Sequence, residues 1–460
     1  MQVILNDMNE RLYQQQKVTR MKIVVLKEQA KDEARVAITP DTVKRFLNDG
    51  HEVRVQKGAG EAAGYSDAAY KKAGATVQGG IKGNLKRAEL LLTVQAPTAS
   101  RIKSMPDGLT VLGLMGSQDS KAAVKALAKK KATVIAMELV PRISRAQSMD
   151  VLSSQSNLAG YRAVIDGAHA FNQAFPMMMT AAGTVAPAKV FVMGTGVAGL
   201  QAIATAKRLG AVVSATDIRP AAREQVNSLG ASFVMVETEE TKQAETEGGY
   251  AKEMSDDYKK KQAELIADTI QKQDIVITTA LIPGRPAPEL VSEKMIKSMK
   301  PGSVLVDLAA ANGGNCPLTE KDKVIEKHGV TLIGYTNLPA RVAKDSSQMY
   351  ARNLYNFIST LMKPKNEKKK NPLFDFNWDD EIVTACALVK DGQVVHETVQ
   401  DKLKDAASKS PAKKSSAPKS SSPKSSSKST KKKKTTKKKS AKSPKKKKSD
   451  QKQSSAKKSK

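Results

Sequence analysis

Three glycines and an acid form the most specific chemical pattern in the sequence. Gly194-x-Gly196-x-x-Gly199 stands between a strand pattern and a helix pattern, and a second strand pattern ends at Asp217. Such a turn lets backbone N–H groups at a helix N-terminus meet a pyrophosphate, while the acid accepts hydrogen bonds from the adenosine ribose. The pattern predicts a dinucleotide site. Asp217 favours NAD(H) because a carboxylate repels a 2′-phosphate, whereas the neighbouring Arg219 would attract one.

A second candidate lies upstream of this turn. Arg142, Gln147, Asp150 and Ser153 fall within a dozen residues, just before a long helix pattern. A nicotinamide carboxamide and its ribose need hydrogen-bond donors and acceptors of this kind, and Arg142 and Asp150 can pair and fix each other. The residues alone leave two interpretations open: a loop that orients a nicotinamide, or an ordinary polar loop that enters a helix.

Groups for acid–base, nucleophilic or metal chemistry do not cluster in the sequence. The four histidines are scattered, and none falls at the strand ends predicted between residues 90 and 140. No nucleophile arrangement and no metal-ligand spacing stands out, so the sequence predicts no metal site.

Two further segments carry candidate ligand contacts. Gly248-Gly249-Tyr250 lies in a long charged connection between two predicted elements. A Gly-Gly hinge beside an aromatic residue is compatible with a lid, although the residues alone favour an ordinary mobile surface loop. Ala280 and Leu281 end a predicted strand, where an open parallel sheet places its ligand contacts.

These candidates are positioned by two series of strand patterns that alternate with helix patterns. Strands are predicted at 22–28, 51–58, 88–94, 109–115 and 132–140, then at 188–194, 211–217, 231–237, 274–280, 303–309 and 330–336, with long helices at about 152–175 and 346–362 and a linker at 363–372. The alternation predicts an α/β fold of two Rossmann-like domains, the second a doubly wound parallel sheet inserted in the first. The predicted divisions are an N-terminal extension (1–20), a discontinuous first domain (21–145 with 345–400), an NAD(H)-binding domain (146–344) and a disordered Lys/Ser-rich tail (401–460).

Charge is distributed unevenly along the 460 residues. The formal net charge is +31, but residues 409–460 alone hold 22 lysines and a single acid, Asp450. Without apolar periodicity this tail is expected to be disordered, and nucleic acid or an anionic membrane surface would attract it; a solvated extension is the plainer alternative. The two cysteines indicate a reducing compartment, no segment is predicted to span a membrane, and Met21 is an alternative start.

Several long motifs together resemble one family. They are PRISRAQSMDVLSSQSNLAGYRAVIDGA, GTGVAG, AETEGGYAKEM, TTALIPGRPAP and GGNCPLT. Over most of residues 21–400 the chain is similar to the NAD(H)-binding component of proton-translocating nicotinamide nucleotide transhydrogenases.

This resemblance implies a proton-translocating, Re/Si-specific enzyme that transfers hydride from NADH to NADP+ on a partner subunit. It also implies that this chain binds NAD(H), that membrane-embedded partner subunits bind NADP(H), and that the chain forms a homodimer. The implied location is cytoplasmic and peripheral, on the cytoplasmic face of the inner membrane. Arg142, Gln147 and Asp150 would position the nicotinamide without acid–base chemistry. The cofactor-binding set expected from the motifs and the resemblance is Arg142, Ile143, Ser144, Gln147, Asp150, Ser153, Gly194, Gly196, Val197, Ala198, Gly199, Asp217, Ile218, Arg219, Gly249, Tyr250, Ala280 and Leu281.

Two alternatives remain beside this interpretation. The opening segments also resemble alanine dehydrogenases, which place a Lys in a V-K-x-P element and a His at the next strand end. This chain has Gln95 in VQAP and no His in GLMGS (113–117). Deamination needs an acid–base group, whereas hydride transfer between two nicotinamides needs only alignment and exclusion of water. The second alternative, a DNA-associated NAD-binding protein, is motivated by the basic tail alone.

Overall fold

The structure is a computed structural model that describes residues 21–116, 121–219, 221–236, 255–281, 285–365, 373–397 and 399–401. The predicted N-terminal extension, Gly249, Tyr250 and the predicted tail beyond residue 401 lie outside these residues.

Eight strands form the first sheet. They are β1 (Lys22–Val25), β2 (Glu52–Gln56), β3 (Thr76–Gln78), β4 (Leu90–Leu92), β5 (Thr110–Gly113), β6 (Thr133–Ala136), β18 (Ala387–Lys390) and β19 (Gln393–Val394). Their spatial order is β19-β18-β6-β5-β4-β1-β2-β3. The strands from β1 to β6 pair in parallel, whereas β18 and β19 join antiparallel at the β6 edge.

Seven strands form the second sheet, whose residues all fall between the two parts of the first. They are β9 (Lys189–Met193), β10 (Val212–Thr216), β11 (Ser232–Phe233), β12 (Ile275–Thr278), β13 (Val304–Asp307), β14 (Val324–Lys327) and β15 (Val330–Ile333). Their order is β11-β10-β9-β12-β13-β15-β14, parallel except for the edge strand β14. The predicted fold of two Rossmann-like domains, one inserted in the other, is confirmed. The residue limits of the domains stay a prediction.

Helices connect the strands and cover both sheets. The α-helices are α1 (Pro40–Asn48), α2 (Asp67–Lys72), α3 (Ile81–Leu85), α4 (Ala99–Ser104), α5 (Lys121–Lys129), α6 (Val151–Ala170), α7 (Val197–Arg208), α8 (Ala222–Ser228), α9 (Asp256–Ile270), α10 (Glu293–Ser298), α11 (Ala343–Leu361) and α12 (Glu381–Cys386). Short 3₁₀ helices span Glu61–Ala63, Met137–Leu139, Ser144–Met149, Ala310–Asn312 and Leu338–Val342.

The central strands of each sheet are almost entirely apolar because both of their faces are covered. In β1, Ile23 and Val25 pack into one hydrophobic cluster while Val24 packs into another on the opposite face. In β9, Val190 and Phe191 divide between two clusters in the same way. Alternate residues of a strand point to opposite faces, so a continuous apolar run is what a doubly covered parallel sheet requires.

Two long helices pass between the domains and pack against each other. The first, α6, starts one residue before its predicted start and ends five residues early, at Ala170. The second, α11, brings the chain back to the first domain. The predicted linker at 363–372 was partly wrong, because Met362–Lys365 (β16) pairs antiparallel with Leu373–Phe376 (β17). A further hairpin, Met178–Thr180 (β7) with Gly183–Val185 (β8), was not predicted.

Candidate functional site

The glycine-rich turn connects β9 to α7 as predicted. Gly194 has a φ of +96°, a conformation that favours glycine. A Cβ on Gly199 would lie 1.9 Å from the carbonyl oxygen of Gly194, so the absence of a side chain there lets the helix approach the strand. A Cβ on Gly196 would meet nothing within 4 Å. The turn is therefore tightly packed at Gly199, where the helix meets the strand, and has open space at Gly196, where a ligand would approach.

The first turn of α7 offers free N–H groups beside this open space. Gly196 is the N-cap residue and provides no side-chain cap. An uncapped helix N-terminus attracts anions through its N–H groups and its dipole. The predicted contacts Val197 and Ala198 belong to this turn, and Val197 is exposed. The cradle fits the pyrophosphate of a dinucleotide.

Asp217 follows β10 beside the turn, and its carboxylate is held from two sides. Thr195 donates from its backbone N–H and its hydroxyl to Oδ2, each at 2.8 Å. Arg219 donates from its backbone N–H and from Nε to Oδ1, each at 2.9 Å. Burial raises the pKa of Asp217, but the hydrogen bonds from Arg219 and Thr195 more than offset it, so the pKa is lowered. Asp217 is therefore ionised near neutral pH, and it already holds the guanidinium of Arg219.

Apolar side chains form the rim around this turn. Ile218 and Leu281 are each about half exposed although both are large aliphatic residues. Ala280 is fixed by Asn315, which accepts a hydrogen bond from its N–H and donates one to its carbonyl oxygen, at 3.1 and 2.9 Å. Such exposed aliphatic groups at the carboxyl edge of a sheet suit the flat faces of a base.

Sequence reasoning missed the buried carboxylate that holds Asn315 in place. Asp307, at the end of β13, accepts hydrogen bonds from the N–H groups of Ala309 and Asn315 at 2.9 and 2.8 Å. It also accepts from the hydroxyls of Thr278 and Thr319. An acid directly after a buried strand was the available signal.

The polar loop of residues 142–150 contains a 3₁₀ helix, Ser144–Met149, that is anchored by apolar side chains. Ala146 and Met149 are buried in the core of the first domain. Arg142, Ser144 and Gln147 are exposed, and Ile143 is partly buried. The anchoring turns the polar members of the loop outward, where they are accessible to a ligand.

Asp150 also has a structural role at the start of a helix. It is the N-cap of α6, and it accepts hydrogen bonds from the N–H and the hydroxyl of Ser153 at 2.9 and 2.5 Å. Among the described residues, Asp150 bonds with Ser153 in place of the expected pair with Arg142. A capping interaction over three residues uses the carboxylate locally, which leaves Arg142 extended into solvent.

Two contacts that the sequence did not suggest hold the loop in place. Arg145 pairs with Asp380 through two hydrogen bonds of 2.9 and 2.8 Å. Asn353 and Asn356 of α11 both donate to the carbonyl oxygen of Ser148, at 2.8 and 3.1 Å. These partners lie more than 200 residues away along the chain, so spacing gave no signal.

One helix joins the loop to the glycine-rich turn. α6 begins at the Asp150 cap, and ten residues later a Cβ on Gly160 would lie 2.0 Å from the carbonyl oxygen of Ala198. Ten helical residues rise about 15 Å. The first turn of α7 therefore contacts α6 about 15 Å along the helix axis from the Asp150 cap.

A buried polar network joins the two domains beside this helix. Arg35 donates to both carboxylate oxygens of Glu33, at 2.8 and 2.6 Å, and to Gln155 of α6 at 2.8 Å. Glu33 also accepts hydrogen bonds from Gln95 at 2.8 Å and from Asn337 at 3.1 Å. Burial raises the pKa of Glu33, but its bonds to Arg35 outweigh that and lower it.

Two members of this network, Glu33 and Asn337, belong to residues that line a cleft of about 570 Å³ between the domains, although the side chain of Glu33 is fully buried. Glu33 and Asp32 come from the first domain, and Tyr335, Asn337 and Arg341 come from the second. Gln95 is thus committed to an internal carboxylate. No histidine lines this cleft in the part of the chain that the structure describes.

The carboxylate nearest to an acid–base function is Glu28, after β1. Burial raises its pKa to about 7. It accepts hydrogen bonds from the N–H groups of Val94 and Gln95, at 2.7 and 3.4 Å. Its oxygens are used by the ends of neighbouring strands, so its contacts are those of a structural group.

The remaining predictions are tested only within the described residues. No group of three or more His, Cys, Asp or Glu side chains there is arranged to hold a metal ion. No helix there is both long and apolar enough to cross a bilayer. The predicted contacts Gly249 and Tyr250 lie outside these residues, as does the basic tail.

The doubly wound sheet, its open glycine turn and the acid after the second strand define an NAD-binding, Rossmann-like oxidoreductase fold. Two family models match the chain: "Alanine dehydrogenase/PNT, N-terminal domain" over residues 24–159 and "Alanine dehydrogenase/PNT, C-terminal domain" over residues 163–397. The chain belongs to the alanine dehydrogenase/PNT family.

Within this family, relatives at 41–52% identity carry transhydrogenase names, and two alanine dehydrogenases are 30% and 31% identical to the chain. The chain is 52% identical over 381 residues to the first part of the NAD(P) transhydrogenase alpha subunit of Rhodospirillum rubrum, and the match covers 82% of this chain and 98% of that protein. It is 46% identical over 386 residues to the protein of the same name from Rickettsia prowazekii, covering 83% and 98%. Among solved structures it resembles the transhydrogenase from Sinorhizobium meliloti, with a TM-score of 0.73, 49% identity and coverage of 81% and 100%.

Proposed function

We propose that this chain binds NADH on its second domain and passes the hydride to NADP+ held by a partner subunit, with the reaction coupled to proton translocation. The observation that carries the proposal is the anchored loop of residues 142–150, in which Arg142, Ser144 and Gln147 are exposed. A ring held by such a loop has one face toward the chain and one face available to a second nucleotide. The similarity to NAD(P) transhydrogenase alpha subunits supports the same function.

The proposed contacts follow the length of a dinucleotide. Gly194, Gly196, Val197, Ala198 and Gly199 form the pyrophosphate cradle. Asp217, Ile218 and Arg219 receive the adenosine half. Arg142, Ile143, Ser144, Asp150 and Ser153 hold the carboxamide and the nicotinamide ribose, while Gln147 faces the second nucleotide. Gly249 and Tyr250 are proposed to close over the cofactor, and Ala280 with Leu281 completes the rim.

The proposed chemistry asks little of the protein beyond position. The bound dihydronicotinamide supplies the hydride. Arg142 and Ser144 orient the carboxamide, Asp150 keeps the first turn of α6 in place through Ser153, and the apolar rim limits access of water. Alignment at near-attack distance and exclusion of water are the effects available to such a site.

We also propose that the partners are membrane-embedded transhydrogenase subunits, including the NADP(H)-binding one, on the cytoplasmic face of the inner membrane. A homodimer is proposed through the β7–β8 hairpin. Met177 and Met179 there are 59% and 76% exposed, and Val185 is 42% exposed. Exposed apolar side chains gathered on one projecting hairpin favour a protein contact. Met179→Glu should yield monomers in analytical ultracentrifugation, whereas a monomeric wild-type chain would contradict this interface.

Hydride transfer from NADH to an oxidised NAD+ analogue tests the proposed function. The assay compares the full chain alone with the full chain plus an NADP(H)-loaded partner subunit. Activity that requires the partner is expected, because the hydride must pass through NADP(H). Oxidation of NADH with pyruvate and ammonium and no partner would instead establish an amino-acid dehydrogenase.

A further inference from the structure

The GGNCPLT segment (313–319) surrounds the buried carboxylate of Asp307 at the end of β13. The N–H group of Asn315 and the hydroxyl of Thr319 donate to the same carboxylate oxygen, Oδ2, at 2.8 and 2.9 Å. Gly314 leaves room for that oxygen, because a Cβ there would lie 2.8 Å from it, and its φ of +82° favours glycine. The carboxylate, which is 1% exposed, thereby fixes the backbone that carries Asn315.

The fully buried side chain of Asn315 binds a second segment of the chain. Its oxygen accepts a hydrogen bond from the N–H group of Ala280 at 3.1 Å. Its nitrogen donates to the carbonyl oxygens of Ala280 and Pro288, at 2.9 and 2.8 Å. Both N–H groups of the amide and its oxygen therefore have backbone partners. Ala280 is held through its N–H and its carbonyl oxygen at once.

The residue before Ala280 contacts the glycine-rich turn. The hydroxyl of Thr279 donates to the carbonyl oxygen of Gly194 at 3.0 Å. A Cβ on Gly194 would lie 2.6 Å from that hydroxyl oxygen and 3.5 Å from the backbone nitrogen of Ala280. The two residues after β12 therefore pack directly on the first glycine of the turn, and Asn315 holds the second of them.

We propose that Asn315 is a positioning residue for NADH binding, because it holds Ala280 so that Thr279 supports Gly194 in the pyrophosphate cradle. Asn315 acts through these residues and does not itself contact the cofactor. The inference rests on the proposed function and deepens it, since it gives a role to the GGNCPLT motif, which provides no cofactor contact there. A binding site must be held within about 0.5 Å of its productive geometry, so a small shift of the turn is enough to weaken binding.

Replacement of Asn315 in the full chain tests this role. Asn315→Ala removes all three hydrogen bonds of the amide and should weaken NADH binding by about tenfold, besides lowering the melting temperature. Asn84→Ala is the matched control, because Asn84 is also fully buried and donates to two carbonyl oxygens, those of Gln78 and Gly80, at 3.0 and 2.8 Å. It lies in the first domain, so it should lower the melting temperature and leave the NADH dissociation constant unchanged.

A milder variant tests the contact between this segment and the turn. Thr279→Val keeps the shape of the side chain but removes the hydroxyl that donates to Gly194, so NADH binding should weaken. Thr269→Val is its control, because it loses a comparable hydrogen bond of 2.8 Å, to the carbonyl oxygen of Leu265 within α9. It should bind NADH as the wild type does. All variants are titrated with NADH by calorimetry at a temperature at which they are folded.

The inference is overturned if folded Asn315→Ala binds NADH as tightly as the wild type, or if Asn84→Ala loses the same affinity. Should Asn315→Ala not fold, Thr279→Val decides, and unchanged NADH binding by that variant overturns the inference. These outcomes leave the proposed function intact, because the wild type still binds NADH in each of them. A wild-type chain that does not bind NADH would contradict the proposed function, and the inference with it.

Discussion

The two sheets wind in the same way but use their carboxyl edges differently. In the second sheet the turn after β9 leaves open space at Gly196 and an uncapped helix N-terminus. In the first sheet the chain's own carboxylates occupy the edge. Glu28 accepts hydrogen bonds from the N–H groups after β4, and the two oxygens of Glu138 share the single N–H of Met115 after β5, at 3.2 and 3.0 Å.

The comparison shows that the strand topology creates a crevice in both sheets, and that the side chains at each edge determine whether a ligand or the protein itself occupies it. Backbone N–H groups at the end of parallel strands need acceptors in either sheet. At the second edge the acceptor is proposed to be a pyrophosphate. At the first edge the acceptors are glutamates, and the Glu33–Arg35 pair completes the same arrangement internally. The carboxyl edge of the second sheet is therefore suited to bind a cofactor, whereas that of the first sheet is held together by internal hydrogen bonds.

The largest expected effect separates two glycines of the same turn. Gly199→Ala should lower the free energy of unfolding by about 3 kcal/mol or more, because its Cβ would overlap the Gly194 carbonyl. Gly196→Ala should change it by no more than about 1 kcal/mol, since its Cβ meets open space. Gly196→Ala should still weaken NADH binding. Chemical denaturation with parallel NADH titration checks both, and equal destabilisation would contradict the account of this turn.

Asp217→Ala tests whether Asp217 sets the preference of the second sheet's edge for NADH over NADPH. NADH binding should weaken by about 10- to 100-fold, because hydrogen bonds from the ribose to a charged acceptor are lost. Discrimination against NADPH should relax, because Arg219 loses the carboxylate that it now binds. Asp257→Ala, an exposed acid paired with Lys261, serves as the control. An unchanged NADH/NADPH preference would remove Asp217 from this role.

The internal role of Glu28 at the carboxyl edge of the first sheet can be tested by measuring the free energy of unfolding as a function of pH. The folded-state pKa of Glu28, about 7, lies above its ordinary value of 4.5, so the folded protein binds this proton more tightly than the unfolded chain. The stability that it contributes is present at low pH and is lost as the pH rises through 7, by about 2 kcal/mol between pH 5 and 8. Glu28→Gln should remove this part of the pH dependence of unfolding. If the free energy of unfolding of Glu28→Gln depends on pH as it does in the wild type, this role of Glu28 is disproved.

The smallest effect concerns the loop between the two edges. Gln147→Ala should slow hydride transfer to the partner's nucleotide by about tenfold and leave NADH affinity unchanged, because only the alignment of the second ring is affected. Ser148→Ala is the matched control, since only the backbone carbonyl of Ser148 is used in anchoring the loop. A parallel loss of NADH affinity in Gln147→Ala would assign Gln147 to cofactor binding instead.

The sequence predicted the elements whose evidence is local. Apolar runs located the strands of both series, and Thr39 caps α1 as its Thr-Pro-Asp pattern indicates. The order of Gly194, Gly196, Gly199 and Asp217 predicted the open turn because each residue acts through its own backbone or its nearest neighbours. Local patterns of this kind are readable without knowledge of the tertiary structure.

The interactions that sequence analysis missed either join segments that are distant in the chain or involve a side chain with more than one possible partner. β18 lies against β6 only because the chain returns through α11, and no pattern near Ala387 indicates that pairing. The sequence allows Asp150 either to pair with Arg142 or to cap α6, and in the structure it caps α6 through Ser153. The commitment of Gln95 to Glu33 depends on the packing of three strand ends, which spacing does not reveal.

The fate of the hydride tests the central claim most directly. NADH labelled with deuterium at the transferred C4 position is mixed with the full chain and the partner subunit loaded with NADP+. Direct transfer between two aligned rings predicts that the label is recovered at C4 of NADPH. Recovery of the label in water, or in a reduced 2-oxo acid when one is supplied, would contradict the account and indicate acid–base chemistry at the first edge.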